Sequence, residues 1–397
     1  MTWYVNNTTV RILNTLGAAI DALNLGPRLD PDTLKHRATK HTRLSSFGPD
    51  DFEAPLQLAT QAFTKDAHLS FFGRFVARDV LTRALTTRLR WAELHADSDP
   101  RLKTPLNRPI IIAGLPRSGT TLLHRLLSEL PELRPLYTWE LQDLLPTTAV
   151  AHRQRETRSR IGVLRRLAPE LDVKHLLDAD QPEEEVSLFD PSFWTPTFWR
   201  FGMVRSYLDW YLQADPMPGY QIYADLLRVL QAEQPQRRFV LKMPNHTGYI
   251  DAIRAVMPSA VVVQTHRDPV PVVASYASLM RSVHRIAAAR WDAEAAGEDC
   301  LRLWGHHADR CLRVRAGMAP DAVCDVRFRD LVGDLEGQVC RVLRHADVAV
   351  PGDLLERVAR HQERHGPKHE YALGDYGLSE AQVRQRFRAY RERFLLE

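Results

Sequence analysis

At 397 residues, with 44% hydrophobic and 26% charged side chains, the chain has a globular balance and is long enough for one large α/β domain with additions or two ordinary domains. A net charge of +4 favours local anion pockets and falls far short of a nucleic-acid-binding surface, so nucleic acid is not expected as a partner. Cys300, Cys311, Cys324 and Cys340 are scattered without CxxC spacing, which argues against a zinc site or disulfide framework and fits a reducing cytoplasm; no metal site is expected.

Met1 to Asn7 lack a positive segment followed by an apolar core, and no apolar run approaches the ~20 residues of a spanning helix. A cytoplasmic protein is expected, with peripheral membrane contact left open. Residues 1–100 read as an N-terminal helical extension packed on the core. Asn7-Asn-Thr-Thr can cap a helix presenting Val10, Leu13, Leu16, Ile20 and Leu23, and a second helical stretch covers residues 55–94. Amphipathic stripes of this kind read as scaffold.

Over residues 101–397 the texture changes to short apolar strands followed by helices, the mark of a parallel sheet covered on both faces. Strands are expected at 109–114, 238–242, 260–265 and 322–328, with a weaker one at 133–136. The fold class is therefore α/β, a P-loop-type parallel sheet flanked by helices. Ligands of open α/β sheets bind beyond the carboxyl ends of the strands, where the motifs fall.

Residues 109–127, Pro-Ile-Ile-Ile-Ala-Gly-Leu-Pro-Arg-Ser-Gly-Thr-Thr-Leu-Leu-His-Arg-Leu-Leu, read as a buried strand, a tight turn and a helix beginning near Thr120. Such a turn aims backbone N–H groups at one point and adds the positive helix end, a cradle for phosphate. Gly114 and Gly119 are separated by four intervening residues and Thr121 holds the Ser/Thr place of a Walker A loop, but position 120 is threonine where an ATP enzyme has lysine. The loop cation is instead Arg117. The competing reading, a P-loop kinase or phosphotransferase using ATP and magnesium, is disfavoured by that exchange. A second strand–turn–helix places Arg267 at a strand end and Ser275 about two helical turns later, so a guanidinium and a hydroxyl can converge on another phosphate.

Together these motifs resemble the PAPS-dependent sulfotransferase superfamily, especially its bacterial members and the tyrosylprotein sulfotransferases, over roughly residues 108–376. The resemblance implies 3'-phosphoadenosine-5'-phosphosulfate (PAPS) as co-substrate without a metal, and in-line transfer of its sulfuryl group to a hydroxyl or phenol. It assigns the 5'-phosphosulfate to Arg117, Ser118, Gly119, Thr120 and Thr121, and the 3'-phosphate to Arg267 and Ser275. Arg364 and Lys368, with His369 beside them, fall in a basic loop like the one that closes over the nucleotide. Residues 325–334 are similar to a later family strand, with Phe328 where tyrosine is common.

Lys242, ending Phe239-Val-Leu-Lys, resembles the family lysine that contacts the sulfuryl and leaving oxygens, and Arg117 is its companion in catalysis. The general base stays open. His246 suits proton abstraction near neutrality, yet the cytosolic sulfotransferases carry their histidine two residues after the lysine, where this chain has Pro244. Glu140 lies about two residues from the glutamate position of the tyrosylprotein enzymes. The run Glu183-Glu184-Glu185 is a third source, otherwise a solvated helix start. Within residues 180–235, Phe193, Trp194, Phe198, Trp199, Phe201, Tyr207, Trp210, Tyr211 and Tyr220 are dense enough to wall an apolar, hydroxylated acceptor, or to form core.

Overall fold

The computed structural model describes residues 26–175, 177–362 and 371–395, with positions 14, 15, 17 and 20. Five strands, β1 (Ile110–Gly114), β2 (Leu133–Arg134), β3 (Arg238–Lys242), β4 (Val261–His266) and β5 (Val323–Arg327), form one parallel sheet in the order β2-β3-β1-β4-β5. The four clear strands lie close to their expected bounds, and the weaker one shrinks to two residues. β1 is central: the sheet grows to β3 on one side and to β4 on the other, which puts a switch-point crevice at its carboxyl end. The register sets Ile112 beside Lys242 and Gly114 beside Thr265, so the expected phosphate loop, the lysine and the β4 end share one edge.

The N-terminal helices α1 (Pro31–Thr42), α2 (Glu53–Lys65) and α3 (Phe71–Ala96) correct the single stretch expected at 55–94. The apolar pattern runs on, but His68 takes φ 44° and the Ser70 hydroxyl accepts the Gly73 N–H at 3.0 Å, a side-chain cap that starts a new helix. Gly73 is required at that start: a Cβ there would stand 1.9 Å from the Ala287 carbonyl oxygen. The extension is knitted into the rest of the chain by Arg88, buried within α3. Its guanidinium donates to the Pro191 carbonyl at 3.0 Å and the Phe47 carbonyl at 2.9 Å, pairs with Asp51, and lies 4.2 Å from the Phe52 ring. The helix expected on Val10, Leu13, Leu16, Ile20 and Leu23 lies outside the described residues except at Ile20.

Alternation along the strands divides the core. Ile110 and Ile112 of β1, with Val240 and Val263, pack under α4 (Thr120–Ser128) and helix Leu335–His345. Ile111, Phe239 and Leu241 face a larger helical layer. In that layer α5 (Val150–Leu167) and α6 (Pro269–Ala287) flank α3 around a cavity. The dense aromatic stretch turns out to be core. Phe193, Trp194, Phe198, Trp199 and Tyr207 are all buried, with Trp194 stacked on Tyr211 at 4.8 Å and Phe189 on Tyr223 at 4.7 Å. All four cysteines are free. Among the described residues no helix is long and apolar enough to cross a membrane, and no group of three His, Cys, Asp or Glu could hold a metal.

Candidate active site

The turn after β1 is shaped by contacts that only certain residues permit. Gly114 takes φ +144°, and a Cβ there would lie 2.1 Å from Thr265 Oγ1; Gly119 takes φ +92°, and a Cβ would lie 2.5 Å from Leu331 Cδ2. The Ser118 hydroxyl is buried, 2.5 Å from both the Leu115 carbonyl oxygen and Thr265 Oγ1, so it braces the loop from within. The Gly114 N–H donates to Thr247 Oγ1 at 2.9 Å, tying the loop to the turn after β3. Arg117 occupies the left-handed region at φ 63°, a conformation that costs a non-glycine residue roughly 1–2 kcal/mol.

That strained arginine is one of two cations at the loop. Arg117 Nη1 donates to the Lys174 carbonyl at 3.2 Å, and Arg267 Nη1 donates to the Arg117 carbonyl at 2.6 Å while its guanidinium lies 4.0 Å from the Phe328 ring centroid. Burial pulls the Arg267 pKa below its ordinary value. Among the described residues neither arginine has a carboxylate partner within ion-pair reach, and α4 points its positive end at the same place. Two guanidiniums at a helix N-terminus are an arrangement that can hold an anion of more than one charge.

The acidic run is not a solvated helix start. An antiparallel bridge between Tyr137 and Pro182, and the Glu183 N–H donating to the Leu136 carbonyl at 3.0 Å, hold it against the chain that leaves β2. Lys242 Nζ, itself buried, donates to Glu184 Oε1 at 2.9 Å, and the Lys242 N–H donates to Glu185 Oε2 at 2.9 Å. Glu184 also receives Arg200 at 2.7 Å; burial pushes its carboxyl up, but Lys242 and then Arg200 outweigh that and hold it at about 2. Glu183 Oε2 lies 3.0 Å from His175 Nε2. Burial again acts upward on Glu183, and His175 followed by Lys242 keeps it well below the usual carboxylate range.

A cavity of about 870 Å³ joins these parts. At one end it is lined by Arg117, Gly119, Thr120, Thr121, Arg267 and Phe328, and beside them by His175, Glu183 and Glu184. The remaining wall is mainly aliphatic, from Val76 and Val80 of α3, Ile161 and Leu164 of α5, and Met280 and Val283 of α6. The N-terminal extension, expected as scaffold, therefore builds one side of the cavity. Of the aromatic residues expected to wall an acceptor, Phe201 is in the lining, whereas Phe193, Trp194, Phe198, Trp199, Tyr207, Trp210, Tyr211 and Tyr220 are not.

Other expected residues sit elsewhere. Lys242 lies beneath Glu184 rather than on the cavity surface. His246 is fully buried, with Nδ1 2.9 Å from the Tyr220 hydroxyl and Nε2 3.1 Å from Glu185 Oε1, which occupies both ring nitrogens behind the lining. Glu140 accepts the Tyr137 N–H at 2.9 Å and pairs with buried Arg134 at 2.8 Å, capping the short helix Thr138–Gln142; Thr138, Leu141 and Gln142 of that helix line the cavity and Glu140 does not. Ser275 is buried on α6 and is not among the lining residues. Arg364, Lys368 and His369 lie outside the described residues. His175 and Arg200 were not anticipated: His175 sits in a stretch with no motif, and its partner Glu183 is eight residues away across a turn.

Residues 109–352 match the sulfotransferase family, and the chain belongs to it. The sulfotransferase STF1 of Mycobacterium tuberculosis superposes with a TM-score of 0.80 at 28% identity, covering 91% of this chain and 99% of that one. STF9 of Mycobacterium avium gives 0.81 at 25% identity, covering 92% and 97%. The curated omega-hydroxy-beta-dihydromenaquinone-9 sulfotransferase Stf3 of M. tuberculosis and of M. bovis is 24% identical over 182 residues, 41% of this chain. That match spans just under half of those relatives, 46% of their length. Family membership sets aside the ATP-dependent reading of the loop.

Proposed function

We propose that the chain transfers the sulfuryl group of PAPS to the hydroxyl of a largely apolar small molecule. The observation that carries this reading is the continuity of one cavity from the paired cations Arg117 and Arg267 to aliphatic walls, with His175 and Glu183 at the junction. Its volume is within the range of small-molecule sites and its lining suits an extended apolar body. The name of the curated relatives, which specifies a hydroxylated menaquinone derivative, is consistent with such an acceptor.

In this reading the 5'-phosphosulfate rests on the backbone of Gly119, Thr120 and Thr121 with Arg117 beside it, and Arg267 meets the 3'-phosphate. The acceptor oxygen attacks sulfur in line; its bond to sulfur forms as the bridging bond to the 5'-phosphate breaks, leaving adenosine-3',5'-bisphosphate. The acceptor proton passes to the His175–Glu183 pair, in which the carboxylate fixes the imidazole. Lys242 exchanges Glu184 for the sulfuryl and leaving oxygens as the donor binds, and Arg200 keeps Glu184 compensated. Turnover with PAPS across phenols and alcohols of increasing alkyl length tests the reading: kcat/KM should climb with chain length, and a preference for free sugars over every apolar acceptor would refute it.

A further inference from the structure

The cavity mouth has an unusual surface. Phe75 of α3 and Val163 of α5 line the cavity and are nevertheless exposed, at 40% and 48%; Phe75 is the one exposed phenylalanine among the described residues. Each stands among arginines. Arg78, three residues after Phe75, holds its guanidinium 4.7 Å from the Phe75 ring, and Arg160 and Arg166 stand exposed three residues either side of Val163. Helix α5 carries Arg153, Arg155, Arg158, Arg160, Arg165 and Arg166 against the single acid Glu156. Arg153 is buried against the Trp139 ring, Arg158 is paired to Asp180 at 2.7 Å and Arg160 to Glu156 at 2.8 Å, while by its own residues the helix is net cationic and Arg155, Arg158, Arg160, Arg165 and Arg166 are exposed. Val150, at the other end of α5, is exposed as well.

Apolar tips set among arginines are what a helix presents when it lies in the headgroup layer of a bilayer: the tips enter the acyl boundary and the guanidiniums meet lipid phosphates. A patch of this kind at the opening of an aliphatic cavity offers a membrane-resident molecule a path that avoids water. We propose that the rim formed by α3 and α5 docks on an anionic phospholipid surface, Phe75 and Val163 inserting, so that the acceptor passes from the bilayer into the cavity. The delivery step rests on the apolar-acceptor reading above; the docking step does not.

Sedimentation with vesicles tests the docking. The full chain should bind vesicles of equal parts phosphatidylglycerol and phosphatidylcholine, release with rising salt, and stay unbound with phosphatidylcholine alone. Each arginine near such a surface contributes a factor of about five, so the pair Arg155→Glu and Arg166→Glu should weaken binding by ~25-fold or more. Neither residue lines the cavity, so that variant should keep wild-type turnover of a detergent-dispersed long-chain phenol and lose at least ~10-fold on the same phenol embedded in anionic vesicles. Equal binding to neutral and anionic vesicles, no binding to either, or full retention of vesicle turnover in the variant would overturn docking. If anionic vesicles bind but no apolar phenol is turned over in either form, docking stands and the acceptor reading falls.

Discussion

Replacing Lys242 with methionine separates its contribution to stability from its contribution to transfer. The ammonium is 2.9 Å from Glu184, and the two side chains are only 2% and 14% exposed. Lys242 and Arg200 together hold the Glu184 carboxyl at about 2 against an ordinary 4.5, which is equivalent to roughly 3 kcal/mol of stability at neutral pH. Because this pKa is depressed, the stabilisation is present above about pH 4.5 and is lost as pH falls towards 2. Lys242 is the larger of the two influences and Arg200 stays in place, so Lys242→Met should lose about 2 kcal/mol at pH 7 and should lose less further stability below pH 4.5 than wild type. Glu184→Gln added to that variant should recover most of the loss, since no buried carboxylate is then left short of a partner. Turnover should not recover: if the ammonium meets the transferring group, kcat stays down by ~10²-fold or more while affinity for adenosine-3',5'-bisphosphate changes a few-fold at most. Urea titrations at two pH values and steady-state kinetics on the single and double variants read both quantities. Turnover restored along with stability would refute a part for Lys242 in the transfer and reduce it to a support for Glu184.

Three further outcomes follow from the same geometry. Arg267→Ala should weaken adenosine-3',5'-bisphosphate by roughly 10- to 100-fold and adenosine-5'-phosphate much less, because a charge-assisted bond contributes about 1.5–3 kcal/mol; calorimetric titration of both nucleotides checks it. His175→Ala and Glu183→Gln should each lower kcat by ~10²-fold or more in steady-state assays, whereas Glu140→Gln should lower stability and leave kcat within a few-fold of wild type. Gly119→Ala forces a Cβ to within 2.5 Å of Leu331 at φ +92°, so nucleotide affinity should fall by ~10-fold or more with little change in the far-ultraviolet circular dichroism.

Much of this architecture was legible in the amino-acid order because it depends on local rules. Fully buried strands such as Ile110–Gly114 read as unbroken apolar runs, and the Gly114 and Gly119 spacing announces a loop whose φ angles only glycine accepts. Arg117 and Arg267 draw notice by the same local rule, Arg117 in the turn after β1 and Arg267 directly after β4. What was not legible depends on contacts between distant segments. The buried ladder from Lys242 through Glu184 to Arg200 joins three elements, so the acidic run read equally well as a solvated helix start. His246 has the composition of a base, and only the fold shows Tyr220 and Glu185 occupying both of its nitrogens. Trp194 and Phe198 signal apolar burial without saying whether a ligand or the chain itself fills the space, and here it is the chain. The aliphatic wall contributed by α3 was hidden by the opposite ambiguity, since a helix face lining a cavity carries the same stripe as one packed against protein.

The most direct measurement is a single-turnover reaction with PAPS labelled on its sulfuryl sulfur and a long-chain phenol, followed by extraction into an organic phase. Label should move into the extracted phenol in step with release of adenosine-3',5'-bisphosphate, and Glu183→Gln should slow both together. Label that stays with the nucleotide or appears as free sulfate across the whole range of apolar hydroxyl acceptors would contradict sulfuryl transfer through this cavity.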